Sequence, residues 1–205
     1  MPMKSMVSRL RHRTVDMLAD CRGIAATEFA VIVPIMLVMF FGTVEFSSGV
    51  AVDGKVTLMA RTLSDITSRS ISVVDSDLTN FFTASIAIAQ PYSPTPVKAQ
   101  VSEIYVDSNS VAKVQWSKAA TIGTGATQAT LAPSSRNAGD LVTLPEQLLV
   151  KQTYVILSEV SYHYVPTVGY VMAPSGVNLS DVSYTRPRKT VCVTYNNVPA
   201  GCPTP

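Results

Sequence analysis

The chain has 205 residues, a length that accommodates one domain of ordinary size together with an anchoring segment. Charged residues make up 15% and apolar residues 47%, and the mean hydropathy is +0.26, so the chain is more hydrophobic than a soluble domain with about 25% charge. The formal net charge of +2 is too small to indicate nucleic-acid binding.

Residues 1–23 are interpreted as a basic cytoplasmic leader. They hold two acidic side chains, Asp16 and Asp20, and five of the 16 basic ones: Lys4, Arg9, Arg11, Arg13 and Arg22. The rest of the chain has the other 11 basic and 12 acidic side chains, a net charge of −1. Because a basic segment before an apolar helix is retained in the cytoplasm, the sequence predicts that the C-terminal part is exported.

Residues 24–44 form a predicted transmembrane helix. The stretch from Phe29 to Phe41 has no polar side chain. At 1.5 Å per residue, 21 helical residues measure about 30 Å, the thickness of the hydrocarbon core of a bilayer. No small-residue signal-peptidase site follows the segment, so we expect the mature protein to keep it.

Glu28 is an ionisable residue at the start of this apolar segment. A carboxylate there costs a few kcal/mol unless it is paired or lies at the interface, where it can snorkel. Cleavage after Gly23 would make Ile24 the first residue and Glu28 the fifth. The new terminal ammonium could then pair with the Glu28 carboxylate of a neighbouring subunit, which predicts an assembly role. Gly23 suits cleavage because it lacks a Cβ atom and interrupts a helix.

The residues from Arg22 to Pro34 (RGIAATEFAVIVP), with Gly42 and Glu45-Phe46 beyond them, resemble the N-terminus of TadE-like proteins. These are minor pilins, or pseudopilins, of tight-adherence (Tad) systems that build Flp pili. Looser similarity to the same family continues in the exported part, at Trp116-Ser117, Pro145, residues 159–166 and Arg186-Pro187-Arg188.

The resemblance implies cleavage between Gly23 and Ile24 by a prepilin peptidase. It also implies a single-pass protein of the bacterial inner membrane, with its C-terminal domain in the periplasm and later in an extracellular pilus. The implied partners are other pilin subunits and the Tad secretion machinery, and the implied use of the pilus is surface adhesion. TadG-like proteins share a similar start, and an uncleaved TadG-like anchor of the same system is the alternative.

Residues 45–73 are predicted to continue the helix as a stalk. Its apolar positions recur in steps of four and three and form one stripe: Val52, Val56, Met59, Leu63 and Ile66. We expect this stripe to pack on the protein's own domain, and lateral packing against the helices of other subunits is the alternative.

Residues 74–205 are predicted to form an α+β domain. A second helix, Asp77 to Ala89 with a cap at Asp75 or Ser76, ends before a proline-rich turn. Alternating residues then predict an antiparallel hairpin of residues 97–106 and 111–116.

A polar stretch, residues 117–140, is interpreted as a long surface loop. Residues 148–164 and 191–195 are predicted as further strands, so the expected fold is an antiparallel sheet packed against the second helix.

Cys192 and Cys202 lie in the exported part, whereas Cys21 belongs to the leader. In an oxidising compartment the last two can close a disulfide loop worth roughly 2 to 3 kcal/mol. Unpaired thiols are the alternative, and the neighbourhood lacks the ligands for a zinc site.

The part after residue 23 has a single histidine, His163, and no glycine-rich phosphate loop, CxxC pair or HExxH motif. We therefore predict a protein that is not an enzyme and has no cofactor or metal. A membrane-tethered periplasmic hydrolase or binding module that uses His163 is retained as a rival from another class. The basic residues Arg186, Arg188 and Lys189 could hold an anionic partner, although such a run is more often a solvated turn.

Overall fold

A computed structural model describes residues 22–166 and 175–199 of the chain. The chain divides into two compact units, Met1–Phe46 and Ser47–Pro205, which are described separately below. Helix α1 runs from Arg22 to Ser68 without a break, so the residues predicted as span and stalk belong to one helix. The predicted end of the stalk at residue 73 is wrong, because the helix ends at Ser68 and Ser72–Val73 form a strand. Just beyond Ser68, the N–H groups of Arg69 and Ser70 donate to carbonyls three residues back and complete the last turn.

The apolar stripe of α1 lies in the core of the second unit. Val52, Val56, Met59 and Leu63 are at most 1% exposed and belong to a cluster that includes residues of the second helix and of the sheet. Ile66 is half-buried. The prediction that the stripe packs on its own domain is therefore confirmed.

Helix α2, Asp75–Ile86, is followed by a 3₁₀ turn at Ala87–Ala89. It begins two residues before the predicted start at Asp77, and its N-cap is Val74, so the predicted cap at Asp75 or Ser76 is wrong. The carboxylate of Asp77 instead accepts a hydrogen bond from the backbone N–H of Val74 at 3.2 Å. This N–H is one of the donors at the helix start that have no partner within the helix. The buried positions of α2 are Leu78, Phe82, Ser85 and Ile86.

Two polar side chains, Lys55 and Ser85, join α1 to the α2 region through hydrogen bonds. The Nζ of Lys55 donates to the carbonyls of Ile88 at 2.9 Å and Gln90 at 2.6 Å, at the C-terminal end of the 3₁₀ turn. The buried hydroxyl of Ser85 donates to the carbonyl of Met59 at 2.8 Å. The Lys55 ammonium suits the end of the 3₁₀ turn because it donates to carbonyls that have no partner within the helical turns.

Seven strands complete the described part of the chain: β1 (Ser72–Val73), β2 (Val97–Val106), β3 (Ala112–Thr121), β4 (Thr130–Ala132), β5 (Thr153–Tyr164), β6 (Val177–Thr185) and β7 (Thr194–Tyr195). Five of them form an antiparallel sheet in the order β4-β3-β2-β5-β6. The short strands β1 and β7 pair in parallel. The predicted α+β class, with a helix packed on an antiparallel sheet, is confirmed.

Four details of the strand prediction need correction. The polar stretch 117–140 is not one loop, since β3 extends to Thr121 and β4 lies within it. The predicted strand at 148–164 begins only at Thr153, and the one at 191–195 is reduced to Thr194–Tyr195. Strand β6 was not predicted, because its serines, asparagine and aspartate conceal the alternation. It pairs along its whole length with β5 and forms an outer strand of the five-stranded sheet.

Both faces of the sheet bury apolar side chains. The face toward the helices contributes Val101, Trp116, Ile156 and others to the main cluster. At one end of the other face, a smaller cluster holds Ile104 and Leu157 under the segment that contains Leu144. This double coverage explains why β2 is buried at almost every position rather than at alternate ones.

Candidate assembly segment and buried carboxylates

The predicted cleavage site lies at the start of α1. Gly23 is exposed, and a Cβ atom added to it would have no neighbour within 4 Å. Ile24 follows in the same turn. Gly23 therefore lies within a continuous helix, and the prediction that it interrupts one is wrong.

Glu28 is exposed on the second turn of α1. Within the described ranges, 22–166 and 175–199, no basic side chain forms an ion pair with it. Its neighbours on the helix include the large apolar side chains of Phe29, which is 69% exposed, and Ile32, which is 53% exposed. Glu28 is thus a single carboxylate in an apolar surface.

The apolar surface extends along the rest of the first unit. Its exposed large side chains include Phe29, Val31, Ile32, Ile35, Met36, Leu37, Val38, Met39, Phe40, Phe41, Val44 and Phe46. The most apolar window of 18 residues in α1 has a mean hydropathy of 2.2 and is only 6% buried. A helix that is apolar on all sides and exposed suits lipid or the helices of other proteins. Pro34 lies within this segment without ending the helix, as membrane helices tolerate.

A carboxyl group that sequence reasoning did not single out, Glu103, lies buried in the second unit. Its Oε1 accepts the N–H of Val193 at 2.5 Å, and its Oε2 accepts the indole N–H of Trp116 at 3.0 Å. The same indole N–H also donates to the Val193 carbonyl at 2.7 Å. The side chain is 0% exposed, and burial raises its pKa to about 8 against the lowering effect of the two donors.

The Glu103 contacts attach the C-terminal segment to the sheet. Val193 is fully buried and lies beside Cys192, which is also fully buried. The fold therefore fixes one end of the predicted disulfide loop. Cys202 lies outside the described residues, so the pairing of Cys192 with Cys202 stays a prediction.

A second carboxylate, Glu159, forms a network on the opposite face of the sheet. Arg136 donates from Nε at 2.8 Å and from Nη2 at 2.6 Å, and Gln100 donates from Nε2 at 2.8 Å. The hydrogen bonds from Arg136 lower the pKa of Glu159. The amide oxygen of Gln100 accepts from Ser134 and Ser135. This network attaches the segment after β4 to the sheet.

His163 is an exposed residue of β5. Its Nδ1 lies 2.6 Å from the side-chain oxygen of Asn178 on β6, which is hydrogen-bonding distance. The hydrogen bonds of the described residues include none between His163 and a serine, a cysteine or a carboxylate. The described residues also contain no group of three His, Cys, Asp or Glu side chains that could hold a metal ion.

The exposed apolar part of α1, ahead of an α+β domain, is long enough to cross a membrane and indicates a single-pass membrane protein. Residues 23–63 match the family model described as TadE-like protein. The chain is therefore similar to TadE-like proteins in this segment. No curated protein and no solved structure matches the chain.

The matched segment begins with the predicted site residues Gly23, Ile24 and Glu28. It ends with the buried stripe residues from Val52 to Leu63. It stops at residue 63, so the looser similarities predicted for the sheet and for residues 186–188 stay predictions. The cleavage and pairing roles of the three N-terminal residues likewise stay predictions.

Proposed function

We propose that this protein is a minor pilin, or pseudopilin, of a Tad pilus that serves surface adhesion. The observation that carries the proposal is the TadE-like match over a helix whose exposed apolar surface begins beside Gly23 and contains one carboxylate, Glu28. A helix with such a surface can lie in the lipid bilayer and then move into a bundle of similar helices without exposure to water.

Processing by a prepilin peptidase after Gly23 would release the chain from the basic leader. The exposure of Gly23 supports this step, because a protease can approach a backbone that carries no Cβ atom. Cleavage would place a terminal ammonium four residues before Glu28, on an otherwise apolar surface.

Glu28 then acts in assembly. Its exposed carboxylate has no ion pair among the described residues, so it is available to the ammonium of an adjacent subunit. Within an apolar helix bundle each charge would offset the desolvation of the other. The pair would also fix the axial register between neighbouring helices, because only one stagger brings the two groups together.

The size of the second unit supports the assignment as a minor subunit. With Ser47–Pro205 assigned to a separate compact unit, the chain has far more bulk than a pilin that is little more than a helix. Before assembly the protein is held in the bacterial inner membrane with its leader in the cytoplasm and its domain in the periplasm, as the charge distribution favours. Other pilin subunits and the Tad machinery are its partners, and it performs no catalysis.

An uncleaved TadG-like anchor of the same pilus system is the second candidate. An anchor of this kind would have the same matched segment and the same apolar helix. It would keep the leader and would need no ion pair at Glu28. The rival based on His163 receives less support. The side chain that contacts its Nδ1 is an asparagine, which orients a histidine without supplying the charge that stabilises an imidazolium.

The assembly role is tested by Glu28→Gln, which removes the charge and keeps the size of the side chain. We expect normal insertion and normal amounts of protein, with loss of piliation in a strain that depends on this copy. Asp53→Asn is the matched control, since Asp53 is an exposed acid on the same helix. Normal pili with Glu28→Gln would rule out the pairing, and equal loss with Asp53→Asn would attribute the effect to helix charge in general.

A further inference from the structure

Three arginine side chains lie around Asp65 toward the C-terminal end of α1 and form what we term the basic patch: Arg61, Arg69 and Arg188. Arg61 and Arg69 belong to the region of α1, and Arg188 follows β6. The sequence from residue 47 onward holds 11 basic and 10 acidic side chains and is nearly neutral. Three of these basic side chains are thus in one place.

A single carboxylate organises the patch. Oδ2 of Asp65 lies 2.6 Å from Nη2 of Arg69, and its Oδ1 lies 2.8 Å from Nη2 of Arg188. The backbone N–H of Arg188 also donates to the carbonyl of Ser68 at 2.8 Å, which attaches this segment to the end of α1. Arg61 makes no ion pair within the part of the chain that the structure describes. The patch therefore keeps a clear excess of positive charge.

An open cavity of about 380 Å³ lies in the patch. Its walls are Arg61, Thr62, Asp65, Ser183, Thr185 and Arg188. Ser64, just beneath, accepts a hydrogen bond from the Thr185 hydroxyl at 3.1 Å and lies 2.9 Å from the Ser183 hydroxyl. The cavity thus combines guanidinium groups with hydroxyls whose positions are fixed by hydrogen bonds.

We propose that the basic patch binds the carboxylate groups of an acidic polysaccharide. A guanidinium offers a planar pair of donors that matches a carboxylate. The hydroxyl oxygens of Thr62, Ser183 and Thr185 can accept hydrogen bonds from the hydroxyls of the same sugar ring. Arg61 and Arg188 both line the cavity, so they can contact successive charged units of the polymer.

The cavity favours a glycan over an acidic polypeptide, because a polypeptide would use the guanidinium groups and leave the hydroxyls without a role. This proposal does not depend on cleavage or on Glu28, since all of its residues lie in the second unit.

The test is equilibrium binding of the full chain, held in detergent, to polygalacturonate, with neutral dextran and poly-L-glutamate as comparison polymers. We expect polygalacturonate to bind more tightly than poly-L-glutamate and to be weakened by salt, while dextran does not bind. Equal affinity for the two polyanions, or no binding of either, would overturn the proposal.

Residue dependence is tested with the double variant Arg61→Gln and Arg69→Gln. Both side chains are exposed. Arg61 has no ion pair among the described residues and Arg69 pairs with Asp65 at the surface, so the domain should fold normally. We expect at least about tenfold weaker binding to polygalacturonate. The matched control, Lys113→Gln with Lys151→Gln, removes the same charge from exposed sites elsewhere and should change affinity less than about twofold. Equal losses in both pairs would mean that net charge alone binds the polymer.

Discussion

Replacement of Glu103 by glutamine should remove a large part of the pH dependence of stability. In the wild type, burial raises the pKa of this carboxyl group from 4.5 to about 8. The folded protein therefore keeps a proton that the unfolded chain loses between these pH values. Because the folded state binds more protons than the unfolded state, stability falls as pH rises from about 4.5 to about 8 and then levels off.

The size of this effect follows from the pKa shift. At about 1.4 kcal/mol per unit, the rise corresponds to roughly 3 to 5 kcal/mol of stability lost across the interval. Glutamine carries no charge at any of these pH values, and its oxygen can still accept the N–H of Val193. The indole N–H of Trp116 keeps its second acceptor, the Val193 carbonyl at 2.7 Å. We therefore expect the variant to lose only about 1 kcal/mol at pH 5.

The assay is urea unfolding of the full chain in detergent at pH 5, 7 and 9. The fluorescence of Trp116, the one tryptophan of the chain, reports directly on the Glu103 site. We expect the variant to be less stable than the wild type at pH 5 and more stable at pH 9. The difference between the two proteins cancels the titration of groups that do not interact with Glu103. Parallel stability curves from pH 5 to pH 9 would refute the raised pKa.

Two further substitutions test the packing and the second carboxylate. Phe82→Ala should destabilise the domain by about 3 to 5 kcal/mol in the same urea assay, since Phe82 is fully buried, and Phe81→Ala should cost less because Phe81 is half-buried. Arg136→Gln should cost about 1 kcal/mol at pH 7. Because the pKa of Glu159 is lowered in the folded state, this cost should shrink as pH falls below about 4, and a pH-independent cost would contradict the ion pair. Arg69→Gln, in a more exposed pair, is the control and should change stability little.

The parts of the fold that follow from local periodicity could be predicted from the sequence. The stripe from Val52 to Leu63 repeats at helical spacing and is buried as expected. The hairpin formed by β2 and β3 is predicted by the alternation of apolar and polar residues on both sides of a polar turn. Strand β6 could not be recognised, because it is held mainly by its pairing with β5 and buries little apolar surface.

The candidate sites divide in the same way. Glu28 is conspicuous because its charge stands within an apolar run, which a sequence shows directly. Glu103 lies in an alternating strand where a glutamate ordinarily faces solvent, and only the tertiary fold brings Trp116 and Val193 to it. The basic patch likewise depends on contacts between the end of α1 and residues about 120 positions later.

The N-terminal mass of the protein tests the central claim most directly. Intact-mass spectrometry of the chain, purified from cells with and without an active prepilin peptidase, identifies its first residue. The pilin account predicts a chain that begins at Ile24 when the peptidase is active and retains its leader when the peptidase is absent. A chain that begins at Met1 in both cells would contradict cleavage and favour an uncleaved anchor.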